Sequence, residues 1–226
     1  MPRAEIEPMQ PRTPIVFLLA RRHRLAYLQV PKVACTSIRA ALCRLNHPEL
    51  PESQLLERRA FARHPEWSDV VEANDPAVMK CFRFTFVRHP LDRFASFYRS
   101  KIGKRSDEEI KPHFRKIGLR AGMTPDEVFA CVQMVERTAL DPHIAPQSTF
   151  VFAGEESRVE WIGRLERMKD DLAELGAKSG TLLNVPHLNV TRTGEAGQPR
   201  EILSAPLRES LATFYAEDLA RFGYEI

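Results

Sequence analysis

Residues 28–37 combine a lysine and two hydroxyl side chains in a pattern suited to binding an anion. The stretch Leu28-Gln-Val-Pro-Lys-Val-Ala-Cys-Thr-Ser37 predicts a strand, a short loop and then the start of a helix. A helix start has backbone N–H groups without partners and partial positive charge, so it suits a phosphate or sulfate. Lys32 adds a full charge, and Thr36 and Ser37 add hydroxyl donors. We therefore predict an anion site, with a solvated lysine beside a Ser/Thr cap as the simpler alternative.

A second stretch of similar design follows further along the chain, at Phe86-Val-Arg-His-Pro-Leu-Asp-Arg-Phe-Ala-Ser96. Arg88 ends a predicted strand, and its guanidinium can bind a phosphate through two parallel hydrogen bonds. Ser96 lies on the helix that follows and would add a hydroxyl donor. The alternative is that Arg88 pairs with a carboxylate and Ser96 only packs. Two such sites favour a ligand with two separated anionic groups, such as a nucleotide with 3′ and 5′ phosphates.

The first loop does not have the sequence of an ordinary triphosphate-binding loop. The G-x-x-x-x-G-K-[ST] pattern needs glycines for its backbone and a lysine near its end. Residues 31–37 contain no glycine, and Lys32 stands near the beginning of the loop. A nucleotide-dependent kinase therefore ranks second, and a non-catalytic nucleotide-binding module remains a further alternative.

Composition indicates one globular domain. The chain has 226 residues, 43% of them hydrophobic and 28% charged, which is enough for a substantial core. The net charge of +3 is too small to argue for nucleic acid as a partner. The four cysteines form no C-x-x-C pair, so we expect free thiols and no metal site.

The N-terminal region bears on domain limits and location. Residues 1–14 carry four prolines and predict a flexible arm, which leaves residues 15–226 as the domain. The first apolar run, residues 15–20, is too short for a membrane span or a good secretion signal. We therefore expect no membrane span in this chain and a cytoplasmic location.

Alternating strands and helices must position the two loops. Apolar, β-branched runs predict strands at residues 15–20, 25–30, 80–87 and 149–152. Helical spacing of apolar residues, with a capping box at Thr124, predicts helices at residues 37–45, 90–102, 124–140, 156–175 and 206–222. This order indicates an α/β fold, a single domain with a mainly parallel central sheet flanked by helices. Ligands of such sheets bind beyond the carboxyl ends of the strands, where both loops lie.

The two loops resemble the nucleotide-binding motifs of the sulfotransferases. The similarity is greatest to the carbohydrate sulfotransferases related to chondroitin 4-O-sulfotransferase, in sulfotransferase family 2. Pro31-Lys-Val-Ala-Cys-Thr36 is similar to their 5′-phosphosulfate loop. Phe86-Val-Arg-His-Pro-Leu-Asp-Arg93, with Ser96, is similar to their 3′-phosphate motif.

Two later segments extend the resemblance over residues 28–224. Ile162-Gly-Arg-Leu-Glu166, followed by Asp170-Asp171, is similar to the family's I-G-x-x-E-x-x-x-x-D segment. Asp218-Leu-Ala-Arg-Phe-Gly-Tyr224 is similar to its C-terminal end. Animal members also carry an N-terminal membrane anchor and work in the secretory pathway. We expect neither feature from this sequence, so their acceptor specificity is not carried over.

The resemblance implies a P-loop-like sulfotransferase fold and the donor 3′-phosphoadenosine-5′-phosphosulfate (PAPS). The sulfuryl group would pass to a hydroxyl or an amine without a metal. Lys32 would act in catalysis and in donor binding, by neutralising the leaving 5′-phosphate and the sulfuryl oxygens. Arg88 and Ser96 would bind the 3′-phosphate. The 5′-phosphate would be held by amides and hydroxyls of the other loop residues, Val33, Ala34, Cys35, Thr36 and Ser37.

An acceptor hydroxyl also has to lose its proton, and a histidine suits this because its ordinary pKa lies near working pH. His64 is the first candidate, since it lies between the two nucleotide motifs, where related sulfotransferases have their catalytic His or Glu. His143, in Asp141-Pro-His143, is the second. Arg192, in Thr191-Arg-Thr-Gly194, would close over the 3′-phosphate, as a late basic loop does in many sulfotransferases.

The acceptor is expected to be a carbohydrate or glycoconjugate, as the resemblance implies. Segments 46–78 and 101–148 are expected to shape its pocket. The second segment carries basic residues that indicate an anionic or sugar-like acceptor: Lys101, Lys104, Arg105, Lys111 and Arg115.

Overall fold

The computed structural model describes residues 15–56, 60–186 and 199–226. The flexible arm predicted for residues 1–14 lies outside these described residues.

The chain divides into two compact units, which we call the sheet unit and the helical unit. The described residues of the sheet unit are 15–87, without 57–59, and 150–186. Those of the helical unit are 88–149 and 199–226. The domain limits predicted from the sequence stay a prediction.

The elements of the described residues are numbered in chain order. The strands are β1 (Val16–Ala20), β2 (Leu25–Leu28), β3 (Asp69–Glu72), β4 (Phe82–Val87), β5 (Phe152–Ala153), β6 (Glu156–Ser157) and β7 (Trp161–Arg164). The α-helices are α1 (Cys35–Asn46), α2 (Glu52–Leu56), α3 (Ala60–Arg63), α4 (Pro90–Lys101), α5 (Pro112–Lys116), α6 (Pro125–Gln133), α7 (Ser148–Val151), α8 (Met168–Ser179), α9 (Ala205–Phe214) and α10 (Ala216–Phe222). Short 3-10 helices cover Arg21–His23, Pro65–Trp67, Val78–Lys80, Arg137–Ala139, Leu165–Arg167 and Pro199–Ile202.

The sheet unit is built on a central sheet with the strand order β3-β1-β2-β4-β7. β4 runs parallel to both of its neighbours, β2 and β7, whereas β1 pairs antiparallel with β2 and β3. Helix α1 packs against β1, and α8 packs against β7. The α/β class and the central sheet flanked by helices are therefore confirmed, and the sheet is mixed, with its parallel strands around β4.

Buried aromatic side chains join β4 to β7. Phe86 of β4 is fully buried and meets Trp161 of β7 edge to face, with ring centroids 5.5 Å apart. A Cβ atom built on Gly163 of β7 would lie 2.5 Å from atoms of both rings. Because glycine has no side chain, β7 can lie beside β4 without displacing either ring.

The core of the helical unit is a chain of aromatic contacts between helices. Phe94 of α4 meets Phe129 of α6 edge to face at 5.7 Å, and Phe129 in turn meets Phe214 of α9 at 5.4 Å. Phe97 of α4 meets Phe114 of α5 at 5.4 Å. Aromatic rings bury large apolar areas and favour this edge-to-face arrangement, so these contacts hold α4 among its neighbours.

The capping box predicted at Thr124 is confirmed. The Thr124 hydroxyl accepts from the Glu127 N–H at 3.3 Å, and a Glu127 carboxylate oxygen accepts from the Thr124 N–H at 2.7 Å. The helix that it starts, α6, ends at Gln133 rather than at residue 140. The chain forms a separate 3-10 helix at Arg137–Ala139, where Arg137 donates to the Phe214 carbonyl at 2.8 Å.

The helix predicted over residues 156–175 was wrong for residues 156–167 and confirmed for residues 168–175. Its first part forms β6 and β7, and α8 begins only at Met168 and continues to Ser179. The charged residues of this stretch have helical spacing, but Trp161–Arg164 pair with β4 and form a strand instead of a helix. The C-cap of α8 is Gly180, in the left-handed conformation.

The strand predicted over residues 149–152 was wrong for residues 149–151, which belong to α7, and only Phe152 lies in a strand, β5. The carboxylate of Asp218 accepts hydrogen bonds from the backbone N–H groups of Gln147 and Ser148, at 2.7 and 2.8 Å. A carboxylate on these N–H groups stabilises a helix start.

The final helix predicted over residues 206–222 divides at Tyr215 into α9 and α10. Its predicted stop is confirmed, since Gly223 ends α10 with a left-handed φ of 62°. In the described part of the chain, none of the helices is long and apolar enough to cross a membrane.

Candidate functional site

The loop between β2 and α1 has an uncommon backbone. Lys32 and Ala34 have positive φ angles of 69° and 47°, although neither is a glycine. Ala34 is the N-cap of α1 and offers no side-chain cap to the first N–H groups of the helix. Backbone turns that mix left- and right-handed residues direct N–H groups to one side and form concavities for anions. Left-handed loop residues and a helix start are both features of known kinds of anion site.

Buried contacts hold both ends of this loop. Val30 and Val33 are fully buried, and Arg39 of α1 donates to the Gln29 side-chain oxygen at 3.0 Å. The hydroxyl of Thr85 on β4 donates to the Leu28 carbonyl at 2.8 Å, where β2 ends. The loop therefore begins at a fixed point on the carboxyl edge of the parallel strands.

The polar residues of the loop differ in exposure. Thr36 is exposed, Lys32 and Cys35 are half-buried, and Ser37 is only 6% exposed. Both Lys32 and Ser37 also make contacts within the protein. The structure therefore presents Lys32 and Thr36 near the start of α1, whereas Ser37 lies mostly inside.

In the helical unit, Arg88 is the residue that follows β4 in the chain, and Gln147 fixes its backbone. The Arg88 N–H donates to Gln147 Oε1 at 3.0 Å, and Gln147 Nε2 donates to the Arg88 carbonyl at 2.8 Å. Arg88 is half-buried, and Ser96 lies half-buried on α4. Pro90 is the first residue of α4, as predicted, and the His89 ring accepts from the Leu91 N–H at 3.3 Å.

A buried polar network supports the segment that carries Gln147. Arg93 is 1% exposed and donates to the carbonyls of Pro142 and Ala145, each at 2.8 Å. The Tyr215 hydroxyl donates to the Ile144 carbonyl at 2.6 Å. Burial lowers the pKa of Arg93 and raises the pKa of Tyr215. The guanidinium stays charged because its ordinary pKa is so high, and it fixes the backbone of residues 142–145.

Asp218 completes this network at the other end of the segment. It is fully buried, and burial raises the pKa of its carboxyl group, while the N–H groups of Ser148 and Gln147 oppose that rise. Asp218 and Gly223 belong to the C-terminal segment in which the sequence resemblance was noted. Both have structural roles here, one at the start of α7 and the other at the end of α10.

His143 lies against a carboxylate that it shares with a second histidine. Asp141 Oδ1 lies 2.7 Å from His143 Nδ1 and accepts from the His143 N–H at 2.9 Å. Asp141 Oδ2 lies 3.1 Å from Nε2 of His113, on α5. Burial acts to raise the pKa of Asp141, but hydrogen bonds from His143 and the two imidazoles outweigh it and lower that pKa.

His64, in the sheet unit, has a more exposed setting. Its ring stacks on Trp67 at 4.1 Å, and its Nδ1 lies 3.1 Å from the exposed Glu66 carboxylate. Its side chain is 46% exposed, compared with 29% for His143. Of the two candidate bases, His143 is the one held by a partly buried carboxylate.

Three further expectations concern Arg192, metals and thiols. Arg192 lies outside the described residues. Among the side chains that the structure describes, no group of three or more His, Cys, Asp and Glu could hold a metal ion. The four cysteines are free, with Cys43 buried and the others partly exposed.

The sequence interpretation missed Gln147, Asp141 and His113 as parts of this site. Asp141 and His143 stand two residues apart, a spacing that allows a side-chain contact and was a readable signal. The contact of Gln147 with Arg88 joins residues 59 positions apart, and that of His113 with Asp141 joins α5 to a residue outside any helix or strand. Nothing in the local sequence indicates either contact.

Comparison with known proteins agrees with the motifs. A family model described as Sulfotransferase family matches residues 16–225 of the chain. The match confirms the family resemblance, whereas the narrower relation to chondroitin 4-O-sulfotransferase stays a prediction. No curated protein and no solved structure matches the chain significantly.

Proposed function

Since the chain belongs to the sulfotransferase family, we propose that it moves the sulfuryl group of PAPS to a hydroxyl or amine of a carbohydrate or glycoconjugate. Sulfotransfer is the activity that the family supports. The choice of donor rests on the backbone of the loop before α1. Lys32 and Ala34 are left-handed there, and the N-cap of α1 provides no side-chain cap. A 5′-phosphosulfate group is an anion of the size and charge that such a loop binds.

Lys32 is proposed to neutralise charge at the reacting end of the donor. Transfer is expected to follow the pattern of phosphoryl transfer, with negative charge growing on the leaving phosphate oxygen. A positive side chain held at that place stabilises the transition state more than the ground state. The amides of Val33, Ala34 and Cys35 and the Thr36 hydroxyl are proposed to bind the 5′-phosphate. Ser37 is proposed as a further ligand, although its burial leaves it less accessible.

Arg88 and Ser96 are proposed to bind the 3′-phosphate, which distinguishes PAPS from common adenylates. The support is that Gln147 fixes the Arg88 backbone through two hydrogen bonds. A guanidinium on a fixed backbone loses less entropy when it binds a phosphate. Arg192 is proposed as a further contact to this phosphate.

For removal of the acceptor proton we propose His143 rather than His64. His143 has a partly buried carboxylate partner, as a base with an oriented ring requires. The measurement is sulfate transfer from labelled PAPS to a panel of polysaccharides, with His143→Gln and His64→Gln compared. A loss of at least about 100-fold in His143→Gln alone is the size expected for a general base. A selective loss in His64→Gln would reverse the assignment.

The basic residues of segment 101–120 support an anionic or sugar-like acceptor. His113 of α5 belongs to this segment and contacts Asp141, which also contacts His143. The exposed basic side chains near this contact include Lys111 and Arg115. Such side chains attract sulfated or carboxylated sugars. The same polysaccharide panel tests this, because neutral chains should then accept less label than acidic ones.

The donor is tested by calorimetric titration with adenosine 3′,5′-bisphosphate, in comparison with 5′-AMP and ATP. We expect a preference for the bisphosphate that is lost in Arg88→Ala. Arg208→Ala, which removes an exposed arginine of α9, should keep the preference. Tighter, magnesium-dependent binding of ATP would refute the proposal and favour a kinase. Binding of the bisphosphate without any transfer to the panel would favour a non-catalytic module.

A further inference from the structure

Asp141 faces two imidazole rings with its two oxygens. Oδ1 is 2.7 Å from His143 Nδ1, and Oδ2 is 3.1 Å from His113 Nε2. The aspartate side chain is 16% exposed, and the rings are 29% and 49% exposed for His143 and His113. The carboxylate is therefore partly buried and less exposed than either of the rings that it contacts.

The charge state of Asp141 decides which ring nitrogens carry hydrogen. An ionised carboxylate has only acceptor atoms, so both nitrogens that face it must carry hydrogen. In neutral His143 the hydrogen is then on Nδ1, and Nε2 keeps its lone pair. A base that removes a proton from a hydroxyl needs this lone pair.

The groups around Asp141 keep it ionised. The hydrogen bonds and charge of His143, with a smaller part from His113, lower its pKa although burial opposes this. The buried guanidinium of Arg93 interacts electrostatically with Asp141, and it donates to the carbonyls of Pro142 and Ala145 on either side of His143. The backbone that carries His143 is thus held by a cation, and its ring by an anion.

We propose that Asp141 is a positioning residue that holds His143 with hydrogen on Nδ1 and directs the Nε2 lone pair to the acceptor. The proposal rests on the proposed function. When transfer occurs, the acceptor O–H proton passes to Nε2, the acceptor oxygen forms its bond to sulfur, and the bond from sulfur to the 5′-phosphate oxygen breaks. Asp141 stays ionised and stabilises the imidazolium that results. His113 holds the second oxygen and keeps the carboxylate from turning away.

Nitrogen-15 NMR of the histidine rings tests this without any acceptor. In the wild-type protein, we expect His143 to carry its neutral-state hydrogen on Nδ1. Asp141→Asn should lower the pH at which His143 gains its proton, because the variant removes the negative charge beside the ring. Glu66→Gln, which alters the exposed pair of His64, is the matched control and should leave His143 unchanged. His143→Gln and His113→Gln assign the signals.

The proposal is overturned if wild-type His143 carries its hydrogen on Nε2, or if Asp141→Asn leaves its titration unchanged. The wild-type result decides the matter even if the variant does not fold. Titration with adenosine 3′,5′-bisphosphate, which should bind wild type and Asp141→Asn equally, separates this proposal from the proposed function. Absence of bisphosphate binding in the wild type, with the expected NMR result, would refute only the proposed function.

Discussion

The side-chain amide of Gln147 binds the backbone of Arg88 through both of its polar atoms. Oε1 accepts from the Arg88 N–H at 3.0 Å, and Nε2 donates to the Arg88 carbonyl at 2.8 Å. Gln147 is itself fully buried, and its own backbone N–H donates to Asp218. The position of Arg88 thus depends on the C-terminal helix α10, through one buried amide.

Replacement of Gln147 by leucine should reduce both stability and affinity for adenosine 3′,5′-bisphosphate. The variant loses both hydrogen bonds to Arg88, and lost buried hydrogen bonds cost about 1–3 kcal/mol in free energy of unfolding. Affinity should fall by roughly tenfold or more, since small misplacements of a binding group have such effects. Urea unfolding and calorimetry measure the two. Gln133→Leu, at an exposed position of α6, is the control and should change neither.

Two glycine-to-alanine changes should have opposite effects on stability. In Gly163→Ala the new methyl would lie 2.5 Å from atoms of Phe86 and Trp161, so we expect a loss of about 1–3 kcal/mol from overpacking. In Gly176→Ala, within α8, the nearest atom belongs to the exposed end of Leu182, which can move. A helix gains about 0.5–1 kcal/mol from this change. Thermal unfolding measures both, and equal effects would contradict the packing described for β7.

Much of the sheet follows from local sequence. Strands β1, β2 and β4 are apolar runs rich in branched and aromatic residues, and each was predicted within a few residues of its observed limits. The starts of α4 and α6 were also predictable, because a proline and a capping box mark them. These signals lie within a few residues of the positions that they determine.

The missed parts depend on contacts between distant residues. β7 has four residues, WIGR, whose types do not alternate between apolar and polar. It is a strand because it pairs with β4, and the absence of a side chain at Gly163 allows that pairing. Lys32 and Arg88 could be identified as candidate anion ligands from the sequence, because each follows a predicted strand. The left-handed backbone at Lys32 was not, because no glycine marks it.

Ala34→Gly should increase the free energy of unfolding by up to about 1 kcal/mol, since alanine pays a steric cost in the left-handed conformation that glycine does not. Ala34 has φ 47° and ψ 24°. Ala173→Gly, at an exposed position of α8, is the matched control and should decrease stability by about 0.5–1 kcal/mol. Urea unfolding of the two variants measures this contrast. A decrease in both would contradict the left-handed geometry of the loop.

The contribution of Asp141 to stability should depend on pH in a defined direction. Its pKa in the folded protein is lowered from an ordinary value of 3.8, because hydrogen bonds and charge from His143 and His113 outweigh burial. A carboxyl group with a depressed folded-state pKa stabilises the protein above its unfolded pKa and loses that effect as pH falls through the folded value. Asp141→Asn should therefore be less stable than wild type near neutral pH, by about 1–2 kcal/mol for lost charged hydrogen bonds.

The difference in unfolding free energy between wild type and Asp141→Asn should shrink as pH falls below 3.8 and vanish once the wild-type carboxyl is protonated. Urea unfolding of both proteins over this range measures it. Glu66→Gln serves as the control, because Glu66 is exposed and its histidine partner, His64, is 46% exposed. Its unfolding free energy should stay close to that of wild type throughout. If the difference in unfolding free energy between wild type and Asp141→Asn stayed constant at low pH, the charge of Asp141 would not be what holds the two rings.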